Sequence, residues 1–123
     1  MILGAGIDLI EVSRIAKSIE NESFKIKVFS EAEIAYCETK ANKEESYAVR
    51  FAAKEAFLKA VGTGLRSGMA INEIEVFSDE LGKPFINLIG KTAETLADKK
   101  IKTIHVSLSH IKEMAIAMIV LES

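Results

Sequence analysis

The charged residues best able to do chemistry lie in the middle of the chain. Residues 50–56 read RFAAKEA, and Lys59 follows them. Glu55 and Lys59 are four residues apart, so in a helix they would lie on one face about one turn from each other. They form either a solvent-exposed ion pair, which would stabilise the helix by roughly a few tenths of a kcal/mol, or a row of charged side chains within a cleft. The apolar residues on both sides indicate a helix with apolar contacts around most of its surface.

Asp8 is a second candidate, because it interrupts an apolar segment at the start of the chain. A carboxylate among apolar residues is costly unless it is paired or bound to a metal ion. The alternative interpretation is an acid at a strand end that accepts a hydrogen bond from a neighbouring amide. Gly4 and Gly6 lie in the same segment, and glycines in a strand let another part of the chain approach the backbone closely.

Two glycine-containing segments could contact a ligand. The loop 62–64, Gly-Thr-Gly, can expose consecutive amides to an anion, or it can simply end the preceding helix. It is not a P-loop, because it lacks the Gly-Lys-Ser/Thr ending and follows a helix. Gly82, Lys83 and Pro84 form a turn that, in a functional role, would present a proline ring and a lysine to a ligand.

Polar side chains alternate with apolar ones near the end of the chain, where residues 104–110 read IHVSLSH. In a strand, His105, Ser107 and Ser109 would share one face, which either recognises phosphate or hydroxyl groups or faces solvent. A Ser-His hydrolase triad fits poorly, because no nucleophile-elbow sequence is present. A zinc site of His105 and His110 is disfavoured, since residues five apart in a strand point to opposite faces.

Composition excludes several classes of protein. The chain has 123 residues, 16 of them basic and 18 acidic, with a formal charge of −2 and one cysteine, Cys37. This length predicts a single domain, 1–123. The near-neutral charge argues against a general nucleic-acid binder, and the lone cysteine excludes an internal disulfide framework. The apolar run 114–121 is far shorter than the about 20 residues of a membrane span, so we expect a cytoplasmic protein.

Periodicity and turn signals predict the elements that position these residues. Strands are expected at 2–10, 71–77, 85–89, 104–109 and 114–121. Helices are expected from near Ser13, from a Ser30–Glu33 capping box to about Lys40, over 46–61 and over 92–100. The order is β-α-α-α-β-β-α-β-β. Strands joined by short turns imply an antiparallel sheet packed with helices, which is an α+β fold.

Taken together, these segments resemble one protein family. The segment 6–12 (GIDLIEV), the central block 50–64, the Gly-Lys-Pro turn at 82–84 and the segment 105–110 occur in the order of the holo-(acyl-carrier-protein) synthases. These proteins are the short, single-domain branch of the 4′-phosphopantetheinyl transferases. The resemblance covers essentially the whole chain and implies the fold of that family.

The resemblance implies a reaction. In this family, a serine hydroxyl of an apo acyl carrier protein attacks the β-phosphorus of coenzyme A. The 4′-phosphopantetheine arm moves to that serine, and adenosine 3′,5′-bisphosphate leaves. Asp8 and Glu55 match the magnesium ligands, with Mn²⁺ as an alternative ion, and Lys59 would offset developing negative charge. The base is left open between Glu55 and a water on the metal.

The resemblance also implies a coenzyme A site. The ribose 3′-phosphate is expected at Arg50 and His105, with Ser107 and Lys59 as further contacts. The groove for the nucleotide and the pantetheine arm is expected to be lined by Gly62, Gly64, Gly82, Lys83 and Pro84.

A basic cluster is expected to meet the acidic carrier protein. It consists of Arg14 and Lys17 on the first helix and Lys25 beyond it, and Glu20 and Glu22 dilute its charge. Such a contact would speed the encounter and weaken with salt. The resemblance further implies a homotrimer with active sites at the subunit interfaces, and no nucleic-acid or membrane partner.

Two functions of other classes stay open on the residues alone. A magnesium-dependent pyrophosphohydrolase of coenzyme A or nucleotides would need no protein acceptor, but such enzymes generally use more carboxylates than Asp8 and Glu55. A non-catalytic module that binds coenzyme A would keep its binding after the loss of Glu55, whereas a transferase would lose metal-dependent turnover.

Overall fold

A computed structural model describes all residues of the chain, Met1–Ser123. The strands are β1 (Ile2–Glu11), β2 (Ile74–Ser78), β3 (Pro84–Leu88), β4 (Thr103–His110) and β5 (Met114–Glu122). The helices are α1 (Val12–Ser18), α2 (Glu22–Val28), α3 (Glu31–Glu38), α4 (Lys43–Val61) and α5 (Gly90–Thr95), with 3-10 turns at Ile71–Glu73 and Ala97–Lys99. Every predicted element occurs in the predicted order, so the α+β fold is confirmed. None of the helices combines the length and apolar character needed to cross a membrane.

Two antiparallel sheets organise the strands. A three-stranded sheet has the order β1-β5-β4, and β2 and β3 form a separate hairpin. Helix α4 packs against the inner face of the larger sheet, and its small or aromatic residues there are completely buried: Ala48, Ala52, Ala53, Ala56 and Phe57. The hydrophobic core of 23 buried residues therefore forms around this helix.

Helix and sheet approach each other very closely at two glycines of β1. A Cβ atom on Gly6 would collide with the Ala56 carbonyl and lie 2.8 Å from the Ala60 amide nitrogen. A Cβ atom on Gly4 would collide with the Ala60 carbonyl. Only glycine permits this separation, so the predicted close approach is confirmed. Asp8 follows two residues after Gly6 on the same face of the strand, and the contact therefore holds it against α4.

One helix, α2, was not predicted from the sequence. It begins after Asn21, whose side-chain oxygen accepts a hydrogen bond from the Phe24 amide at 3.1 Å. The Phe24 ring packs against those of Phe29 and Phe51, with centroids 6.5 and 6.3 Å away. The helix has only seven residues, too few for a clear apolar period, so its Asn cap was the available signal.

The predicted ends of two helices are confirmed. The Ser30 hydroxyl accepts a hydrogen bond from the Glu33 amide at 3.2 Å, and the Glu33 carboxylate accepts one from the Ser30 amide at 2.9 Å. This is the predicted capping box of α3. Gly62 ends α4 with a left-handed φ of 87°. Helix α4 begins at Lys43, earlier than predicted, because acidic residues favour its first turn.

Two other element boundaries differ from the prediction. The strand expected from residue 71 begins at Ile74, because the carbonyls of Ile71 and Ile74 accept hydrogen bonds from the buried ammonium of Lys54. A 3-10 turn takes the place of the first strand residues. The helix expected over 92–100 is the shorter α5 followed by the second 3-10 turn.

Candidate functional site

A cleft of about 510 Å³ opens beside the C-terminal half of α4. Its walls combine a carboxylate, an ammonium group, two glycines and aliphatic side chains. The lining residues are Glu55, Leu58, Lys59, Gly62, Gly64, Leu65 and Ile71. The structure thus brings together four residues predicted for the site, namely Glu55, Lys59, Gly62 and Gly64.

Lys59 links strand β1 to this cleft. Its Nζ donates hydrogen bonds to Asp8 Oδ1 at 3.0 Å and to the Ile7 carbonyl at 2.9 Å. The side chain of Asp8 is 15% exposed and that of Lys59 is 54% exposed. The acid in the apolar strand is therefore paired with an ammonium group at the edge of the cleft, and not with a neighbouring backbone amide.

Glu55 lies one helical turn before Lys59 and is half-buried. Burial raises the pKa of the Glu55 carboxyl above its ordinary value, and the negative charge of Asp8 raises it further. Lys59 and Arg14 oppose this increase. Asp8 and Glu55 are thus close enough to repel each other in a partly dehydrated environment.

Glu55 lines the cleft, and Asp8 lies outside the lining but is paired with Lys59 at its edge. These two acids are the ones that could hold a metal ion there. Nowhere does the chain gather three or more His, Cys, Asp or Glu side chains into a potential metal site. Two repelling carboxylates fit a hard divalent cation, which would neutralise both of them. Since Mg²⁺ keeps several waters and takes further oxygen ligands from substrate phosphates, this pair suits a cation that binds together with its substrate.

The loop after α4 ends the helix and also borders the cleft. Gly62 and Gly64 have φ values of 87° and 65°, and a Cβ atom on either would meet no other atom within 4 Å. The Gly62 amide donates a hydrogen bond to the Leu58 carbonyl at 3.1 Å. That amide is therefore committed to the helix end, which limits the predicted anion site to the amides beyond it.

Arg50 lies outside this cleft. Its side chain is buried, and Cζ lies 4.4 Å from the centre of the Tyr36 ring. Nη1 donates a hydrogen bond to the Ser46 carbonyl at 3.2 Å, whereas Nε has no hydrogen-bond partner. Arg50 takes part in no ion pair. It borders a separate cavity of about 90 Å³, beside α3 and β2.

His105 and Ser107 lie on β4, on the face of the sheet that points away from α4. Both are exposed and alternate with half-buried aliphatic residues, as the sequence predicts. His105 Nε2 lies 2.9 Å from Glu122 Oε1, and this hydrogen bond lowers the pKa of Glu122. Neither His105 nor Ser107 lines the cleft within the same chain.

Gly82, Lys83 and Pro84 lie at the end of the β2–β3 hairpin. Asp79 Oδ1 accepts hydrogen bonds from the amides of Leu81 and Lys83, both at 2.9 Å, which fixes the turn. Gly82 and Lys83 are exposed. This hairpin end, like Arg50, is not part of the cleft wall in the single chain.

The predicted basic cluster divides into two parts. Arg14 and Lys17 are exposed on α1, and Arg14 is close enough to Glu55 to lower the pKa of its carboxyl. Lys25 instead lies 3.3 Å from Glu38, and its side chain is only 14% exposed. The charge of Lys25 is therefore already neutralised within the chain, so the structure does not support Lys25 as a free docking cation.

Sequence analysis missed the aliphatic wall of the cleft. Leu58 stands beside Lys59 in the sequence, so its place one turn from Glu55 was a usable signal. Leu65 and Ile71 gave none, because their position depends on how the chain folds back after the Gly62 loop. The cleft is consequently more apolar on one side than the charged residues alone suggested.

Replacing Glu55 with glutamine should stabilise the fold at neutral pH, because it removes a carboxylate that burial and Asp8 both disfavour. A carboxyl whose pKa is raised on folding lowers stability above that pKa, and the penalty fades as the pH falls toward the ordinary value of 4.5. Urea unfolding should show that E55Q is more stable than the wild type at pH 7. Below pH 4.5, the ordinary pKa of a glutamate carboxyl, the difference should disappear. Glu20→Gln, at an exposed acid, is the control; a lower stability of E55Q at pH 7 would contradict the repulsion.

Comparison with known sequences identifies the family. The family model of the 4′-phosphopantetheinyl transferase superfamily matches residues 4–118. The holo-(acyl-carrier-protein) synthase of Syntrophus aciditrophicus is 48% identical over 99% of this chain and 97% of that protein. That of Geotalea daltonii is 45% identical over 99% of this chain and 99% of that protein.

Solved structures agree with the sequence relatives. The holo-(acyl-carrier-protein) synthase of Neisseria meningitidis superimposes with a TM-score of 0.92 at 30% identity and covers 100% of both chains. The synthase of Bacillus anthracis, in complex with CoA (3′,5′-ADP), gives a TM-score of 0.83 at 38% identity, covering 100% of this chain and 98% of that chain. The chain therefore belongs to the 4′-phosphopantetheinyl transferase superfamily, a family of transferases, and groups there with the holo-(acyl-carrier-protein) synthases that its sequence resembles.

Proposed function

We propose that this chain is a holo-(acyl-carrier-protein) synthase that uses Mg²⁺. A serine oxygen of the apo acyl carrier protein bonds to the β-phosphorus of coenzyme A, and the bond from that phosphorus to the bridging oxygen breaks. The 4′-phosphopantetheine arm moves to the serine, and adenosine 3′,5′-bisphosphate leaves. The observation that carries the proposal is the cluster of Asp8, Glu55 and Lys59 at a cleft of about 510 Å³. Phosphoryl transfer depends mainly on such positioned charge.

Each residue of the cluster has a role that its environment supports. Asp8 and Glu55 would hold Mg²⁺, which when bound supplies charge neutralisation on the pyrophosphate, and Mn²⁺ shares its preference for oxygen ligands. Lys59 is half-exposed at the cleft, so its ammonium can contact the phosphate oxygens. Its pairing with Asp8 neutralises that acid within the chain.

Glu55 is also a candidate for accepting the serine proton. Burial and the charge of Asp8 raise the pKa of its carboxyl, and a carboxylate with a raised pKa is a stronger base. The group lies at the cleft where the substrate phosphates are expected. The base is thus Glu55 or a water held by the metal, and the serine belongs to the carrier protein rather than to Ser107.

Arg50 suits the ribose 3′-phosphate. A buried guanidinium without a carboxylate partner is costly, and Arg50 is 5% exposed with an unpartnered Nε. A phosphate group would supply the missing anion. Its own cavity of about 90 Å³ is far smaller than pockets that hold whole ligands, so the rest of coenzyme A lies elsewhere, along the groove of Gly82, Lys83 and Pro84.

Assembly into a homotrimer would account for the separation of Arg50, His105 and the hairpin from the cleft. The sheet face opposite α4 exposes large apolar side chains at Ile7, Leu9 and Met118, which are 57, 60 and 47% exposed. A contiguous apolar face of this kind typically marks a protein–protein interface. Met118 stands opposite Ile7 on one side and Ser107 on the other. A second copy seated there would therefore lie next to Ser107 and His105.

Arg14 and Lys17 are the proposed contacts for the acidic carrier protein. Both are exposed on α1, and Arg14 lies near Glu55, so a carrier docked there would bring its serine toward the cleft. We also propose that residues 1–123 act as one catalytic domain, which the pairing of the terminal strands β1 and β5 supports. The cytoplasmic location expected from the sequence stays a prediction.

An intact-mass assay tests the proposed reaction. The protein is mixed with coenzyme A, Mg²⁺ and an apo acyl carrier protein, and we expect the carrier to gain the mass of one phosphopantetheinyl arm only when metal is present. D8N and E55Q should each lower the rate by about 100-fold or more, because the charge that organises the phosphates is lost. Ser107→Ala should only weaken coenzyme A binding.

Other outcomes of this assay would contradict the transferase. Breakdown of coenzyme A without modification of the carrier would indicate the pyrophosphohydrolase. Coenzyme A that binds without any reaction would indicate the non-catalytic module. Full activity in both D8N and E55Q would show that the metal ligands lie elsewhere.

The trimer can be tested by placing a charge in the exposed apolar face. Ile7→Lys and Met118→Lys should shift the sedimentation velocity from trimer to monomer, because a lysine would be desolvated at the interface. Lys102→Glu, at an exposed loop position, is the control and should sediment like the wild type. A wild-type chain that sediments as a monomer at micromolar concentration would overturn the trimer.

A further inference from the structure

The most completely hydrogen-bonded charge in the molecule is the ammonium group of Lys54. The side chain is 0% exposed. Its Nζ donates hydrogen bonds to Glu33 Oε1 at 2.7 Å, to the Ile74 carbonyl at 2.6 Å and to the Ile71 carbonyl at 3.2 Å. A lysine has three N–H groups, so each has one partner.

Glu33 extends this network to two further backbone groups. Its Oε1 also accepts a hydrogen bond from the Ser30 amide at 2.9 Å, and its Oε2 accepts one from the Val76 amide at 2.9 Å. The ion pair thus joins the start of α3, the middle of α4 and the segment that leads into β2. Removing either partner would leave the other buried charge uncompensated.

The network ends at the wall of the candidate active site. Lys54 directly precedes Glu55 on α4, and Ile71, whose carbonyl Lys54 binds, lines the same cleft as Glu55. The segment that carries Ile71 and Ile74 continues into β2 and the hairpin of Gly82, where part of the coenzyme A groove is proposed.

We propose that Lys54 is a positioning residue for coenzyme A. Through the carbonyls of Ile71 and Ile74, it holds the aliphatic wall of the cleft and the base of the β2–β3 hairpin at a fixed place relative to Glu55. The inference rests on the proposed function, because coenzyme A is the ligand that would contact both the cleft wall and the β2–β3 hairpin. Lys54 would not touch the substrate itself. It would act through the backbone carbonyls that it binds.

An ion pair that served stability alone would not need hydrogen bonds from Lys54 to the carbonyls of the cleft wall. Apolar residues of similar volume often replace a buried ion pair without loss of stability. Here a replacement would leave the Ile74 carbonyl without its donor, and the Ile71 carbonyl would keep only the Ile74 amide. An unsatisfied buried carbonyl favours a local rearrangement toward solvent. The expected consequence is a displaced or mobile cleft wall. Glu55 and Asp8 should keep their positions, because they belong to α4 and β1 and not to the displaced segment.

The test compares Lys54→Met with the wild type. Methionine has a similar length but no ammonium group, so it fills the space without binding the carbonyls. Steady-state kinetics should show a loss of about tenfold to a hundredfold in kcat/KM for coenzyme A, as expected for a misplaced binding wall. The KM for the carrier protein should stay unchanged. Hydrogen exchange should become faster at the amides of residues 69–76.

Tyr47→Phe is the matched control. Tyr47 is also on α4 and contacts α3, through a hydrogen bond from its hydroxyl to Glu38 at 2.7 Å. Its loss removes a polar contact between the same two helices at a distance from the cleft. Y47F should lower the melting temperature and leave the KM for coenzyme A unchanged, so a general loss of stability cannot explain the K54M result.

Glu33→Gln keeps the test decisive if K54M does not fold. The amide preserves the shape and one oxygen acceptor, so a smaller change in the same direction is expected for the KM of coenzyme A. Wild-type kinetics in folded K54M, or in E33Q where K54M does not fold, would overturn the positioning role. Titration calorimetry of the wild type with coenzyme A separates the two claims, since failure of the wild type to bind contradicts the proposed function itself.

Discussion

The site depends on how closely strand β1 packs against helix α4. At Gly4 and Gly6 no Cβ atom separates the strand from the Ala56 and Ala60 backbone of the helix. Alanines on the helix complete this contact, since a larger side chain would hold the two elements apart. Asp8 comes next on the same strand face, and its charge then meets Lys59 at 3.0 Å. A packing constraint between small residues thus determines the geometry of a charged site.

The charges of the cluster compensate one another only in part. Lys59 neutralises Asp8, while burial and the Asp8 charge raise the pKa of Glu55. Arg14 and Lys59 are the cations that oppose this increase. Sites whose charges are not fully compensated are typical of catalytic clefts. Arg50 is a second such group, because it is buried, forms no ion pair and has an Nε without a hydrogen-bond partner. Both features suit a chain whose substrate brings several phosphates.

Much of the fold follows from local chemistry that the sequence displays. The capping box at Ser30, the glycine that ends α4 and the alternation of β4 each depend on near neighbours, and each is confirmed. Helix α2 was missed because it is short, and the strand start at Ile74 was missed because it is set by Lys54, which is distant in sequence. The pairing of Asp8 with Lys59 likewise spans 51 residues; the resemblance to a family placed both residues at one site but did not predict the pair. Lys25 also depends on a partner distant in sequence, since a lysine that the sequence offers for docking is paired with Glu38 in the fold.

Gly6→Ala tests most directly whether the contact between β1 and α4 creates the site. One methyl group at Gly6 should cost about 1–3 kcal/mol as the strand moves away from Ala56, which leaves most of the protein folded. With the folded fraction verified by circular dichroism, kcat for the transfer to the carrier protein should fall by about 100-fold, because Asp8 is displaced from Glu55. Ala41→Ser, at an exposed turn before α4, should keep wild-type kcat. A folded Gly6→Ala protein with wild-type kcat would contradict the central role of this contact.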